Sequence, residues 1–186
     1  LVDSIIGDNY PVPDRMLMHN EAIVHEYLMW AMCGPDRPAG KFDLYAVEGG
    51  TAAMCYLFKS LKAARLLNAG DTIALGTPIF TPYLEMPLLE DYGLNVVDIA
   101  AEQKDKFQYT AEALRRLEDP KVKAFFIVNP GNPSGVALSA ETIAHLVDLV
   151  TNRRPDLILL TDDVYGTFVP GFRSLLADAG GDLPRF

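Results

Sequence analysis

The sequence predicts an α/β domain built on a mainly parallel sheet. Two observations carry that expectation. Short apolar runs of strand type alternate with segments of helical period. Clusters rich in Gly, Pro, Asn or Asp follow these runs directly, and sheets of this kind collect ligands outside the carboxyl ends of their strands.

Residues 1–13 read as an irregular entry ending in "NYPVPD". Asp14 is suited to cap a helix that runs to about Cys33, with Ile23, Tyr27 and Trp30 on one face. Gly34-Pro35 stops it. "FDLYAV" over 42–47 reads as a short strand and "EGG" as a tight turn. A helix from about Thr51 to Leu67 follows, its inner stripe made of Met54, Phe58 and Leu61, and Asn68-Ala69-Gly70-Asp71 ends it.

The same alternation then repeats. "TIALG" is a strand, and "TPIFTPYLEMPLLEDYG" a loop and helix kinked at Pro87. "NVVDI" is a strand, and Thr110 caps the helix "AEALRRLE". "VKAFFIV" has no polar alternation, which predicts a strand covered on both faces. Ser139 caps a helix with Ile143, Leu146, Val147 and Val150 at i, i+3, i+4 and i+7, and "LILLT" is the last strand. The chain shows no internal repeat and no low-complexity tract.

A length of 186 residues suits one ordinary domain or part of a larger protein. A net charge of −9 argues against nucleic acid as a partner, because phosphate backbones need a basic face. It leaves room for a small anion held by backbone N–H groups. No apolar run approaches the ~20 residues of a membrane span, and no basic-then-apolar leader opens the chain. Cys33 and Cys55 have no metal-type spacing and read as reduced thiols, so a cytoplasmic protein is expected. The chain opens at Leu1 without Met and closes at Phe186 in a loop-like tail, so a piece of something longer is expected.

Four polar clusters are expected to converge at the strand ends. Glu48-Gly49-Gly50-Thr51 joins a strand to a helix, where bare glycine backbone and the helix N-terminus favour an anion such as phosphate, and Thr51 adds a hydroxyl. A Gly-Gly turn can also be only a turn. Phe80, in "PIFTPY", has a ring face able to stack on a planar ligand or to pack in the core. In "NPGNPSG" the amide of Asn132 can donate to a ring oxygen, and the flanking prolines restrict the backbone that holds it. In "TDDVY" an aspartate can pair with a protonated heteroaromatic nitrogen while Tyr165 bonds an oxygen on the same ring; an Asx-turn with a packed tyrosine is the plainer alternative.

Taken together, Gly49-Gly50-Thr51, Pro78-x-Phe80-x-x-Tyr83, Asn129-Pro130-x-Asn132-Pro133-x-Gly135 and Asp162-x-x-Tyr165 resemble the fold-type I pyridoxal 5′-phosphate (PLP) enzymes of the class I/II aminotransferase group. The resemblance implies a three-layer sandwich, with a partial PLP-binding large domain over 35–186 and an N-terminal segment and helix over 1–34. It implies phosphate at Gly49, Gly50 and Thr51, ring stacking on Phe80, the 3′-oxygen at Asn132 and Tyr165, and the pyridinium nitrogen at Asp162. Asp162 is preferred over Asp163 by its spacing to Tyr165. "DNYPVPDRML" (8–17), "LILLTDDVYGTF" (157–168) and "GFRSL" (171–175) resemble the aspartate 4-decarboxylases within that group. This implies L-aspartate as substrate, L-alanine and carbon dioxide as products, an aminotransferase side activity, and a homodimer or larger homo-oligomer. In such an oligomer Tyr10 reaches the cofactor phosphate of a neighbouring subunit; otherwise it is a local turn residue.

The sequence departs from the family at one point. Lys41, Lys59, Lys62, Lys104, Lys106, Lys121 and Lys123 all precede Asp162, whereas the family's Schiff-base lysine follows that cluster. The lysine is expected beyond Phe186, with a C-terminal small domain and its carboxylate-binding arginine. Three alternatives stand beside this reading. One is an aminotransferase for aspartate or another amino acid. One is a nucleotide or S-adenosylmethionine module, which needs a Gly-x-Gly-x-Gly turn that the sequence lacks. The third is a non-catalytic domain that keeps the crevice.

Overall fold

The computed structural model describes residues 13–34 and 47–179. Its centre is four strands, β1 (Thr72–Thr77), β2 (Asn95–Ala100), β3 (Val122–Val128) and β4 (Ile158–Asp162). All pair in parallel, in the order β2-β1-β3-β4. The helices are α1 (Pro13–Cys33), α2 (Gly50–Ala63), α3 (Thr81–Glu85), α4 (Ala111–Arg115), α5 (Ala140–Asp148) and α6 (Leu175–Ala179). α5 continues through one π-helical turn, Leu149–Arg153.

The unbroken apolar runs follow from cover on both faces. Successive strand side chains point to opposite sides. Ile73 and Leu75 of β1 and Ala124 and Phe126 of β3 pack with Met54, Phe58 and Leu61 of α2. Ala74, Phe125, Ile127 and Ile99 pack on the other side with Leu114, Leu146, Leu149 and Val150. Helices therefore layer both faces of the sheet, and β3 is buried as its composition predicts.

Local signals place most element boundaries. The Thr110 hydroxyl accepts from the Ala113 N–H at 3.1 Å, and that of Ser139 from the Thr142 N–H at 3.2 Å, capping α4 and α5. Pro87 falls in a 3₁₀ turn, Met86–Leu88, which ends α3. Two boundaries differ from expectation. Asp14 lies within α1, which spans Pro13–Cys33, so it is not the residue before the helix. α2 stops at Ala63 and not at Leu67, because Arg65 adopts a left-handed backbone and the chain turns Leu67 into the core.

Ile23, Tyr27 and Trp30 share a face of α1, and that face is exposed, at 47%, 54% and 72%, while Met29 and Cys33 are buried. Gly34 ends α1 with its N–H on the Trp30 carbonyl at 3.1 Å. The strand expected over 42–47 falls, except for Val47, outside the described residues, as does Tyr10. Among the described residues no helix is long and apolar enough to cross a membrane. Among the described residues neither Cys33 nor Cys55 is in a disulfide.

Arg154 ties the base of the sheet together. Its buried guanidinium donates to the carbonyls of Leu117, Asp119 and Val122 and to both carboxylate oxygens of Asp156. That pairing also holds the Asp156 carboxyl below its usual range. Arg154→Met removes every donor, at about 1–3 kcal/mol for each buried carbonyl left without a partner; the Asp119 carbonyl keeps the Val122 N–H at 3.0 Å. The expected outcome is a loss of at least about 3 kcal/mol in urea unfolding, only partly recovered by Arg154→Lys.

Candidate active site

The strand order sets where a ligand can sit. The chain leaves β1 to build β2 on one side, then crosses to place β3 on the other. The loops after β1 and β3 diverge, and a crevice opens between them. It has a volume of about 170 Å³ and is lined by Gly50, Thr51, Met54, Phe80, Tyr83, Val128, Asn132, Asp162, Val164 and Tyr165.

One wall of the crevice is formed by the start of α2. Gly49 precedes α2 with φ 118°, a conformation that favours glycine, and no side chain caps the helix. Gly50 and Thr51, in the first turn of α2, line the crevice, and no side-chain oxygen caps that end of the helix. A Cβ placed on Gly49 or Gly50 would meet nothing within 4 Å, so the backbone is open to a bound group.

Another wall carries a carboxylate. Asp162 closes β4 opposite Val128, the last residue of β3. Its Oδ2 accepts from the Tyr83 hydroxyl at 3.1 Å, and its Oδ1 accepts from the Val164 N–H at 3.2 Å. Asp163 points elsewhere. Its carboxylate accepts from the hydroxyls of Thr161 at 2.5 Å and Ser174 at 2.6 Å. Burial pushes the Asp163 carboxyl up, and the two hydroxyl donors work against that shift.

The two asparagines of "NPGNPSG" divide their work. Asn129 is buried; its N–H donates to the Asp162 carbonyl at 2.9 Å, and its side-chain oxygen accepts from the Leu138 N–H at 2.9 Å. It extends the β3–β4 pairing and pins the far end of the loop. The Gly131 N–H closes the loop on the Val136 carbonyl at 2.9 Å. Asn132 is left at the crevice wall with Tyr165.

Gly50, Thr51, Phe80, Asn132, Asp162 and Tyr165 thus line one crevice; Gly49 sits beside it as the residue before α2. Tyr83 belongs there too and was passed over as a site residue, although the spacing Phe80-x-x-Tyr83 spans the first turn of α3. Burial and the Asp162 charge both raise its phenol pKa. Among the described residues no group of three or more His, Cys, Asp or Glu is placed to hold a metal.

An anion cradle, an aromatic face, an amide, a phenol and a carboxylate fit a flat, phosphorylated heteroaromatic ring. Residues 46–183 match the family described as Aminotransferase class I and II. The chain belongs to that family. The family is PLP-dependent. A bifunctional aspartate aminotransferase and L-aspartate beta-decarboxylase from Pseudomonas sp. is 49% identical over 95% of this chain and 33% of its own length. An aspartate/prephenate aminotransferase from Cereibacter sphaeroides is 31% identical over 67% of this chain and 30% of its own. The solved aspartate aminotransferase from Thermus thermophilus with maleate aligns at TM-score 0.60 and 26% identity, covering 70% of this chain and 32% of that one. The chain spans between about a quarter and a third of the length of these curated relatives.

Tyr83 and Tyr109 are expected to titrate late, with Tyr92 raised to a smaller extent. Burial raises the phenols of Tyr83 and Tyr109, with the Asp162 charge adding to Tyr83. Unfolded tyrosines ionise near about pH 10. The folded state holds these protons longer, so their contribution to stability is present below about pH 10 and is lost above it. Phenolate absorbance should show a late phase in the folded protein, smaller by one group in Tyr83→Phe, and all tyrosines titrating together in urea.

Proposed function

We propose that the full-length protein is a PLP-dependent enzyme that converts L-aspartate to L-alanine and carbon dioxide, with amino transfer as a second activity. What supports the reaction over its neighbours is the 49% identity across 95% of the chain with a protein of both activities. What supports the cofactor is the crevice itself.

Each residue has a separate task in this reading. The first-turn N–H groups of α2 at Gly50 and Thr51, with the Thr51 hydroxyl, hold the phosphate. Phe80 stacks on the ring. Asn132 donates its amide hydrogen to the ring oxygen, and the Tyr165 phenol bonds the same atom. Asp162 accepts the N–H of the pyridine nitrogen and keeps a proton on it. Tyr83 donates to Asp162 Oδ2 and fixes the direction in which that carboxylate faces. Met54, Val128 and Val164 line the remaining wall with apolar surface, which limits water.

When bound, PLP supplies an electron sink for the bond that breaks in the amino acid. In the overall change the Cβ–carboxylate bond breaks, carbon dioxide leaves, and a proton takes its place at Cβ. Amino transfer as the main reaction is the second reading, favoured by aminotransferases among the curated relatives. A non-catalytic domain that keeps the crevice is the third.

Two measurements test this. With L-aspartate and a 2-oxo acid to sustain turnover, alanine should exceed oxaloacetate. Oxaloacetate in excess moves the protein to the aminotransferase reading, and no turnover of any amino acid supports the non-catalytic one. Asp162→Asn keeps the side chain's shape and removes its charge. Losing a charge-assisted bond of about 1.5–3 kcal/mol should weaken PLP binding about 10- to 100-fold, with a larger loss in turnover. Asp163→Asn, which can keep both hydroxyl contacts, should cost much less; equal losses would place the essential carboxylate wrongly.

A further inference from the structure

The segment "GFRSL" at 171–175 stands outside the crevice, yet it makes specific contacts with the back of the turn that carries Asp162 and Tyr165. The Ser174 hydroxyl donates to Asp163 Oδ2 at 2.6 Å. Thr161 donates to Oδ1 of the same carboxylate at 2.5 Å. The turn closes on itself through the Gly166 N–H to the Asp163 carbonyl at 2.8 Å. The Phe172 ring packs against that turn: a Cβ on Gly166 would come within 2.4 Å of it. Gly166 is buried and has no room for a side chain.

Ser174 also reaches the other way. Its N–H donates to the Met32 carbonyl of α1 at 2.7 Å, and its side-chain oxygen accepts from the Leu176 N–H at 3.1 Å at the start of α6. Ser174 is itself 3% exposed. One buried serine therefore joins three pieces: the end of α1, the start of α6, and the turn behind the crevice.

We infer that Phe172 and Ser174 form a clamp that sets the placement of Asp162 and Tyr165 toward the cofactor and ties that placement to α1. Ser174, Asp163 and Phe172 are positioning residues; none lines the crevice. The mechanism is geometric. Asp162 and Asp163 are neighbours on one backbone, so fixing the Asp163 carboxylate fixes the peptide that orients Asp162. Fixing the Asp163–Gly166 turn fixes Tyr165 within it. A loosened turn lets both groups wander, and angular misalignment weakens hydrogen bonds to a ring steeply.

The inference rests on the PLP reading, and the test separates the two. The full-length protein is titrated with PLP, recording affinity and the visible circular dichroism of the bound cofactor at saturation. Wild-type protein that binds no PLP overturns the functional reading, and this inference with it. If wild type binds, Ser174→Ala should weaken PLP severalfold, at most the tenfold that one hydrogen bond to a charged group is worth, and should reduce the dichroic signal per bound cofactor. Leu146→Ala, a core truncation in α5, serves as the control for simple destabilisation: it should lower the unfolding midpoint and leave affinity and dichroism as in wild type. Phe172→Leu keeps every hydrogen bond and should show the same signature in weaker form, so it decides the matter where Ser174→Ala does not fold. Wild-type affinity and dichroism in the clamp variants, or an equal change in Leu146→Ala, overturns the clamp.

Discussion

The crevice depends on one constraint of topology: β2 and β3 pair on opposite edges of β1. Were β3 added beyond β2, the loops after β1 and β3 would lie two strands apart. With β1 between them, the loop after β1 presents Phe80 and Tyr83 on one side of the gap. The loop after β3 presents Asn132 on the other, and β4 adds Asp162 beside it. No single cluster makes the crevice; the sheet order brings them together.

Packing then fixes the distance between the two ends of the site. The anion end belongs to α2 and the carboxylate end to β4, so the two must be held in common register. Phe58 of α2 stacks on Phe126 of β3 with ring centroids 5.0 Å apart and planes 3° from parallel. Phe126 also meets the ring of Tyr83 at 6.2 Å, and Tyr83 bonds Asp162. A chain of aromatic contacts thus runs from the helix that offers its N-terminus to the carboxylate at the far end. Aromatic rings suit this task because they bury much surface with few rotatable bonds. The net charge of −9 does not oppose the anion end, since the field there comes from local backbone N–H groups.

Where the governing physics is local, the sequence was legible. Thr110 and Ser139 cap helices because an N-cap needs only a short polar side chain and its own next turn. The stripe of Met54, Phe58 and Leu61 follows from helical period, and the burial of β3 from its unbroken apolar run. What resisted was set by distant partners. Nothing within α2 announces its end at Ala63; the core on the far side of Arg65 rewards turning Leu67 inward. Asn129 and Asn132 look alike in "NPGNPSG", and only the β4 carbonyl separates the anchor from the crevice residue. Tyr83 was in view within Pro78-x-Phe80-x-x-Tyr83, but its partner lies 79 residues on.

The adjacent aspartates show how a strand resolves what composition cannot. Two carboxylates in a row would repel if they shared an environment. The pleat separates them, because residues i and i+2 share a face and i and i+1 do not. Ile158 and Leu160 pack toward the α2 side, and Asp162 continues that row into the crevice at the strand's end. Leu159 packs toward the opposite side, and the row through Thr161 leads to Asp163, where the Thr161 hydroxyl meets it. The α2 side is also the side whose helix N-terminus opens on the crevice. The same alternation that buries leucines on both faces of β4 therefore sends one carboxylate to the ligand end and the other to the hydroxyls of Thr161 and Ser174. Of the two, Asp162 lines the crevice, and Asp163 accepts from the hydroxyls behind it.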